Sequence, residues 1–163
     1  MDTGNRVMGI SPGTRTVGIA IFKDGKLRDW QLKTFSGKWS KIKLTWILST
    51  LKQVIAHYGV SNIAIKIPHA SRTSKALDEL TKEIQKLAEK KDLPIETFTL
   101  KEMEQAFPCA TKEAMIEQLV NQYPELHEYY EKAIKKYKCA SKTLPNSPFE
   151  KVFEAVAVID ALL

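Results

Sequence analysis

The stretch Met8-Gly9-Ile10-Ser11-Pro12-Gly13-Thr14-Arg15-Thr16-Val17-Gly18-Ile19-Ala20 decides how the rest of the chain is read. An apolar run, Val7 to Ile10, stops at Ser11-Pro12-Gly13, whose residue types punctuate a turn. A second apolar run, Val17 to Phe22, leads into Lys23-Asp24-Gly25-Lys26. Asp-Gly between two strand-like runs is a strong hairpin signal, because both central residues of the favoured turn need positive φ. Leu27 to Phe35 alternates roughly in twos and predicts a third antiparallel strand. The chain therefore opens as a three-stranded meander.

Beyond Ser36-Gly37, the residues Leu44, Ile47, Leu48, Leu51, Val54, Ile55 and Tyr58 recur at three and four and predict an amphipathic helix. Gly59 stands where a helix-ending glycine belongs. Trp46 is expected in the core beside Ile47 and Leu51. Asn62 to Ile67 reads as a strand ended by Pro68, Ala76 to Ala88 as a second helix, and Leu93 to Leu100 as a fifth strand. Helices are predicted over Lys112 to Gln122, Glu128 to Tyr137 and Phe149 to Leu163, with a loop at Lys142 to Pro148. In the last helix, Phe149, Val152, Phe153 and Val156 outweigh the strand propensity of Ala155-Val156-Ala157-Val158-Ile159. The order βββ-α-β-α-β-ααα predicts an α/β protein. Its mixed five-stranded sheet has three antiparallel strands, then two parallel ones, with helices on its faces. With no internal repeat or long linker, one domain over 1–163 is expected.

Composition narrows the function classes. The chain is 44% hydrophobic and 27% charged, with 7 Gly and 7 Pro among 163 residues, which excludes collagenous and wholly disordered chains. No apolar run is long enough to span a bilayer and no signal peptide is read, so a cytoplasmic protein without a membrane partner is expected. Cys109 and Cys139 form no metal-ligand pattern with His57, His69 or His127, and are read as reduced thiols. The net charge of +6 is uneven: residues 1–60 hold 10 Lys/Arg against 3 acids, residues 61–110 hold 8 and 8, and residues 111–163 hold 7 and 8. A basic field confined to one third of the chain suits a polyanion partner.

The opening motif resembles that of the RuvC-type Holliday junction resolvases of the ribonuclease H-like superfamily, which read Gly-Ile-Asp-Pro-Gly, a polar turn, and a Gly at the start of strand two. Ile63-Ala64-Ile65-Lys66 lies where that family has Ala-Ile-Glu. Lys151 to Ile159 lies where it has Asp-x-x-Asp-Ala-x-Ala-x-Ala. The resemblance covers the whole chain and implies a ribonuclease H-like fold, a role on branched DNA in recombination and repair, and a homodimer. It also implies a site of four carboxylates that hold two divalent metals and activate water. Here the four positions read Ser11, Lys66, Lys151 and Glu154. One acid survives, and the formal charge is +1. The actin-like and sugar-kinase ATPases share a similar glycine turn, but they close two domains on a nucleotide, for which 163 residues leave no room.

Three readings of different class follow. The first is a nucleic-acid-binding protein of the resolvase superfamily without two-metal endonuclease activity, needing no cofactor. Its binding face is expected at Arg15, Lys38, Trp39, Lys41, Lys43, Lys66, His69 and Arg72. The second is an active Mg- or Mn-dependent endonuclease with a rearranged acidic site of Glu150, Glu154 and Asp160. The third is a protein-interaction module that kept the fold.

Overall fold

The structure is a computed structural model that describes residues 5–68, 73–106, 112–139 and 149–162. Strands β1 (Arg6–Ser11), β2 (Thr16–Lys23) and β3 (Lys26–Thr34) form the expected meander. β1 pairs antiparallel with β2 from Arg6–Lys23 to Ser11–Gly18. The β2–β3 turn has φ of +53° at Asp24 and +78° at Gly25, as a two-residue hairpin requires. Helix α1 (Lys41–Tyr58) starts at Ser40, whose Oγ accepts from the Lys43 backbone N–H at 3.1 Å. It ends at Gly59, left-handed at φ +61°. The chain returns as β4 (Asn62–Lys66), parallel to β1, and helix α2 (Lys75–Lys90) leads to β5 (Ile95–Phe98), parallel to β4. The sheet order is β3-β2-β1-β4-β5, the expected mixed sheet.

Strand alternation divides the core between two faces. Met8, Ile10, Ile19, Ile21, Ile63 and Ile65 face α1 and α2, where they meet Ile47, Leu51, Leu80 and Ile84. Leu80 and Ile84 thus serve the chain's own core. Val7, Ala20, Phe22 and Ala64 face the other way, toward α4 (Lys112–Gln122) and α6 (Glu150–Leu162). Helix α6 is buried from Val152 to Ile159, as the helical reading of that segment requires. Two glycines let it lie directly on the sheet. A Cβ at Gly9 would come within 2.1 Å of the Ala155 carbonyl oxygen, and one at Gly18 within 2.1 Å of the Lys151 carbonyl oxygen.

Three expectations are corrected. β5 is four residues long because Leu100 begins an additional helix, α3 (Leu100–Ala106). Thr99 caps it: Thr99 Oγ1 accepts from Glu102 N at 3.2 Å, and Glu102 Oε1 accepts from Thr99 N at 3.3 Å. A 3₁₀ turn, Pro124–Leu126, precedes α5 (His127–Cys139). Trp46 is not core: it is 47% exposed and rests edge-on against Phe35, centroids 4.8 Å apart. One residue away from Ile47 is a 100° turn around the helix, which places Trp46 on its flank. His69, Arg72, Cys109 and the 142–148 loop lie outside the described residues. No described helix is long and apolar enough to cross a membrane.

Candidate functional site

Strand period and helix pitch bring Ser11, Lys66, Lys151 and Glu154 together. On β1 the residues Val7, Gly9 and Ser11 share the face toward α6, and on β4 Ala64 and Lys66 share it. The register Gly9–Ala64 sets Ser11 and Lys66 at the carboxyl ends of adjacent parallel strands. Helix α6 crosses these ends with Lys151 and Glu154, which lie one turn apart. Ser11 and Glu154 are fully buried. Ser11 Oγ donates to Glu154 Oε1 at 2.9 Å, and Lys66 Nζ donates to Glu154 Oε2 at 2.5 Å. Lys151 Nζ lies 4.0 Å from Glu154 Oε1 and donates to the Pro12 carbonyl at 3.3 Å. Each oxygen of the Glu154 carboxylate is therefore engaged.

This donor set does not fit a divalent metal pair. Magnesium asks for several carboxylate oxygens, and the site offers one carboxylate with a lysine already against it. A divalent ion roughly 5 Å from one ammonium is repelled by on the order of 6 kcal/mol at an effective dielectric near 20. The rearranged acidic set is not assembled either. Asp160 accepts from Tyr123 Oη at 2.5 Å and from Gln122 Nε2 at 2.8 Å, on the α4 side. It lies about 9 Å of helix rise beyond Glu154. Glu150 opens α6 one turn before Glu154. Among the described residues no three His, Cys, Asp or Glu side chains converge as metal ligands.

The basic residues divide. Arg15 in the β1–β2 turn, Lys38, half-buried Trp39 and Lys43 line one groove between that turn and the β3–α1 loop. Lys41 is exposed at the start of α1 and does not line it. Lys43 departs from the expected exposed cluster: it is 4% exposed, and its ammonium donates to the Gly37 carbonyl at 2.8 Å. Its place follows from helix spacing, since it sits four residues before Ile47 on the inward side. Lys66 faces Glu154.

The fold is similar to that of solved structures. Thermus thermophilus RuvC aligns with 96% of this chain over 92% of its own, at a TM-score of 0.69 and 14% identity. The structure described as T. thermophilus RuvC in complex with a Holliday junction substrate aligns with 96% of this chain over 91% of its own, at a TM-score of 0.66 and 15% identity. The fold is RuvC-like. No protein-family model matches the sequence, and no curated protein does. In this RuvC-like frame the Ser11, Lys66, Lys151 and Glu154 cluster occupies the carboxyl ends of the central strands. Open α/β sheets tend to bind ligands there.

Three residues contribute in ways that sequence reasoning missed. Glu79 on α2 accepts from Trp39 Nε1 at 3.3 Å, across 40 residues with no local signal. Gly9 and Gly18 were legible as motif residues, but their role in admitting α6 appears only with the helix in place.

Proposed function

We propose that this chain is a nucleic-acid-binding protein of the RuvC resolvase superfamily that engages DNA, branched DNA included, without two-metal cleavage. It is read as a single domain over 1–163. One observation carries the reading: the single carboxylate at the four family positions, Glu154, is buried and ion-paired to Lys66 at 2.5 Å. The same neighbourhood has formal charge +1 at Ser11, Lys66, Lys151 and Glu154, a sign that attracts phosphate oxygen and repels divalent cations. The RuvC-like fold, shared with a protein solved on a Holliday junction substrate, supports a strand path across the sheet's carboxyl edge. Arg15, Lys38 and Lys41 extend the basic surface away from it, with His69 and Arg72 proposed on the segment after β4. These contacts position a phosphate backbone and carry no sequence preference. The dimer implied by the resemblance would set two such edges on one junction.

The test runs binding and cleavage side by side. Gel shifts with four-way junction, duplex and single strand over a salt series are expected to show affinity falling steeply with salt. Single-turnover reactions with Mg²⁺ or Mn²⁺ are expected to leave the bound junction uncut. Cleavage that tracks the purified protein refutes the silent site, and absence of all binding refutes the partner.

A further inference from the structure

The groove between the β1–β2 turn and the β3–α1 loop has a volume of about 640 Å³, within the usual range of small-ligand sites. Its charge is one-sided: Arg15, Lys38 and Lys43 line it, and among the described residues no acid does. Lys43 is the telling member. The residue is buried, at 4% exposure, and its ammonium carries three N–H donors. The described residues give it one acceptor, Gly37 O at 2.8 Å, and no carboxylate at ion-pair distance. An ammonium with donors to spare at the wall of a groove is placed to meet an anion there.

The wall is preformed. Phe35 N donates to Arg15 O at 2.8 Å and pins the two loops together. Lys43 holds Gly37, whose φ is +94°. Trp39 lines the groove, packs partly buried against the core and donates its Nε1–H to Glu79 at 3.3 Å. An aromatic plane beside a cluster of cations is the pairing that single-stranded nucleic acid uses, because an unpaired base exposes its π-face and a duplex does not. Arg15 stands four residues after Ser11, so the groove begins where the carboxyl edge of the sheet ends.

We infer that this groove takes one unpaired nucleotide of a nucleic-acid strand, its phosphate among Arg15, Lys38 and Lys43 and its base stacked on Trp39. The inference rests on the nucleic-acid reading above and narrows it to a strand with at least one base out of the helix.

The experiment measures fluorescence anisotropy of the full chain with labelled dT20, rU20 and a blunt duplex, over a salt series. Trp39→Ala is expected to weaken single-strand binding roughly 5- to 150-fold, the equivalent of about 1–3 kcal/mol for a stacked base, with duplex affinity within twofold. Trp39→Phe is expected to restore most of the loss, and Trp46→Ala to cause none. Lys38→Glu, an exposed change that spares the fold, is expected to weaken dT20 binding about tenfold and flatten its salt slope by about 0.7 or more. The tighter of dT20 and rU20 identifies the source of the strand. An unchanged dT20 affinity and slope in Lys38→Glu, or equal losses on duplex and single strand in Trp39→Ala, overturns the inference. Duplex or junction binding by the wild-type chain without single-strand binding overturns it while the broader reading stands. Failure to bind any nucleic acid overturns both.

Discussion

Replacing Lys66 by methionine tests whether a lysine holds the carboxylate at the centre of the site. Glu154 is fully buried, with Lys66 Nζ at 2.5 Å and Lys151 Nζ at 4.0 Å. Removing one partner of a buried ion pair costs about 3–5 kcal/mol, because the other charge is left in a medium that solvates it poorly. Here the second lysine and the Ser11 hydroxyl, at 2.9 Å, remain, so the lower end applies. A loss of about 3 kcal/mol lowers Tm by about 6–12 °C in a chain of this size. Glu154→Gln keeps an acceptor for Ser11 and leaves Lys66, whose side chain is 17% exposed, able to turn toward water. Its cost is therefore smaller, about 1–2 kcal/mol. The double variant removes both charges and should cost less than the sum, with a coupling of about 1–3 kcal/mol. Urea denaturation followed by far-UV circular dichroism measures all four corners of the cycle. A Lys66→Met loss under about 1 kcal/mol, or additivity within about 0.5 kcal/mol, refutes the assignment of Lys66 as the counter-ion of Glu154.

Three further outcomes are expected. Ser11→Asp, Lys66→Glu and Lys151→Asp together put four carboxylates at the site, so Mg²⁺ at about 100 times its Kd should raise the variant's stability by about 2.7 kcal/mol. Thermal shifts with and without EDTA check this, and the wild-type chain should show no comparable shift. Gly18→Ala drives a Cβ against the Lys151 backbone and should cost about 3 kcal/mol in urea titrations. Gly25→Ala, in open space at φ +78°, should cost about 1–2 kcal/mol. Tyr123 is pushed above its ordinary 10.0, first by burial and then by its hydrogen bond to Asp160. The unfolded phenol ionises first, so this contribution is complete below pH 10 and is lost as pH rises from there toward the folded value. Melting curves from pH 8 to 11 should fall less steeply in Tyr123→Phe than in the wild-type chain.

Most of the fold was legible because its signals are local and mutually consistent. Asp24-Gly25 specified the hairpin, the three-and-four spacing from Leu44 to Tyr58 specified α1, and the order of elements specified a mixed sheet. Helix α3 carried a signal too: Thr99 and Glu102 form a capping box. It was hidden by the strand-like stretch Leu93 to Leu100, whose β-favouring residues continue past the point where pairing to β4 stops. Trp46 was misplaced for a different reason. Its size suggests burial, but the helix angle puts it on the flank, where Phe35 covers one edge only. The site was legible as four positions and illegible as contacts, since Ser11 and Glu154 are 143 residues apart and meet only through α6 lying on two glycines. Glu79's hold on Trp39 and the burial of Lys43 likewise depend on how α1 and α2 pack.

The residues at the four positions are not independent of one another. A carboxylate as deeply buried as Glu154 needs a cation beside it, whether a divalent ion or an ammonium. Neutral residues at the other three positions would leave it without compensation. What stands there instead is one lysine against Oε2, a second near Oε1, and a hydroxyl that donates to Oε1. The charges that repel a metal are thus the charges that stabilise the last carboxylate. This couples the two properties physically: restoring one acid without the others places two carboxylates in a dry site with no ion to share. A single change, Lys66→Glu, is therefore expected to destabilise the fold more than Lys66→Met does, in the same urea titration and in the absence of divalent metal. Equal costs for the two variants would mean that Glu154 tolerates a neighbouring negative charge, and the argument for a lysine-balanced site would fail.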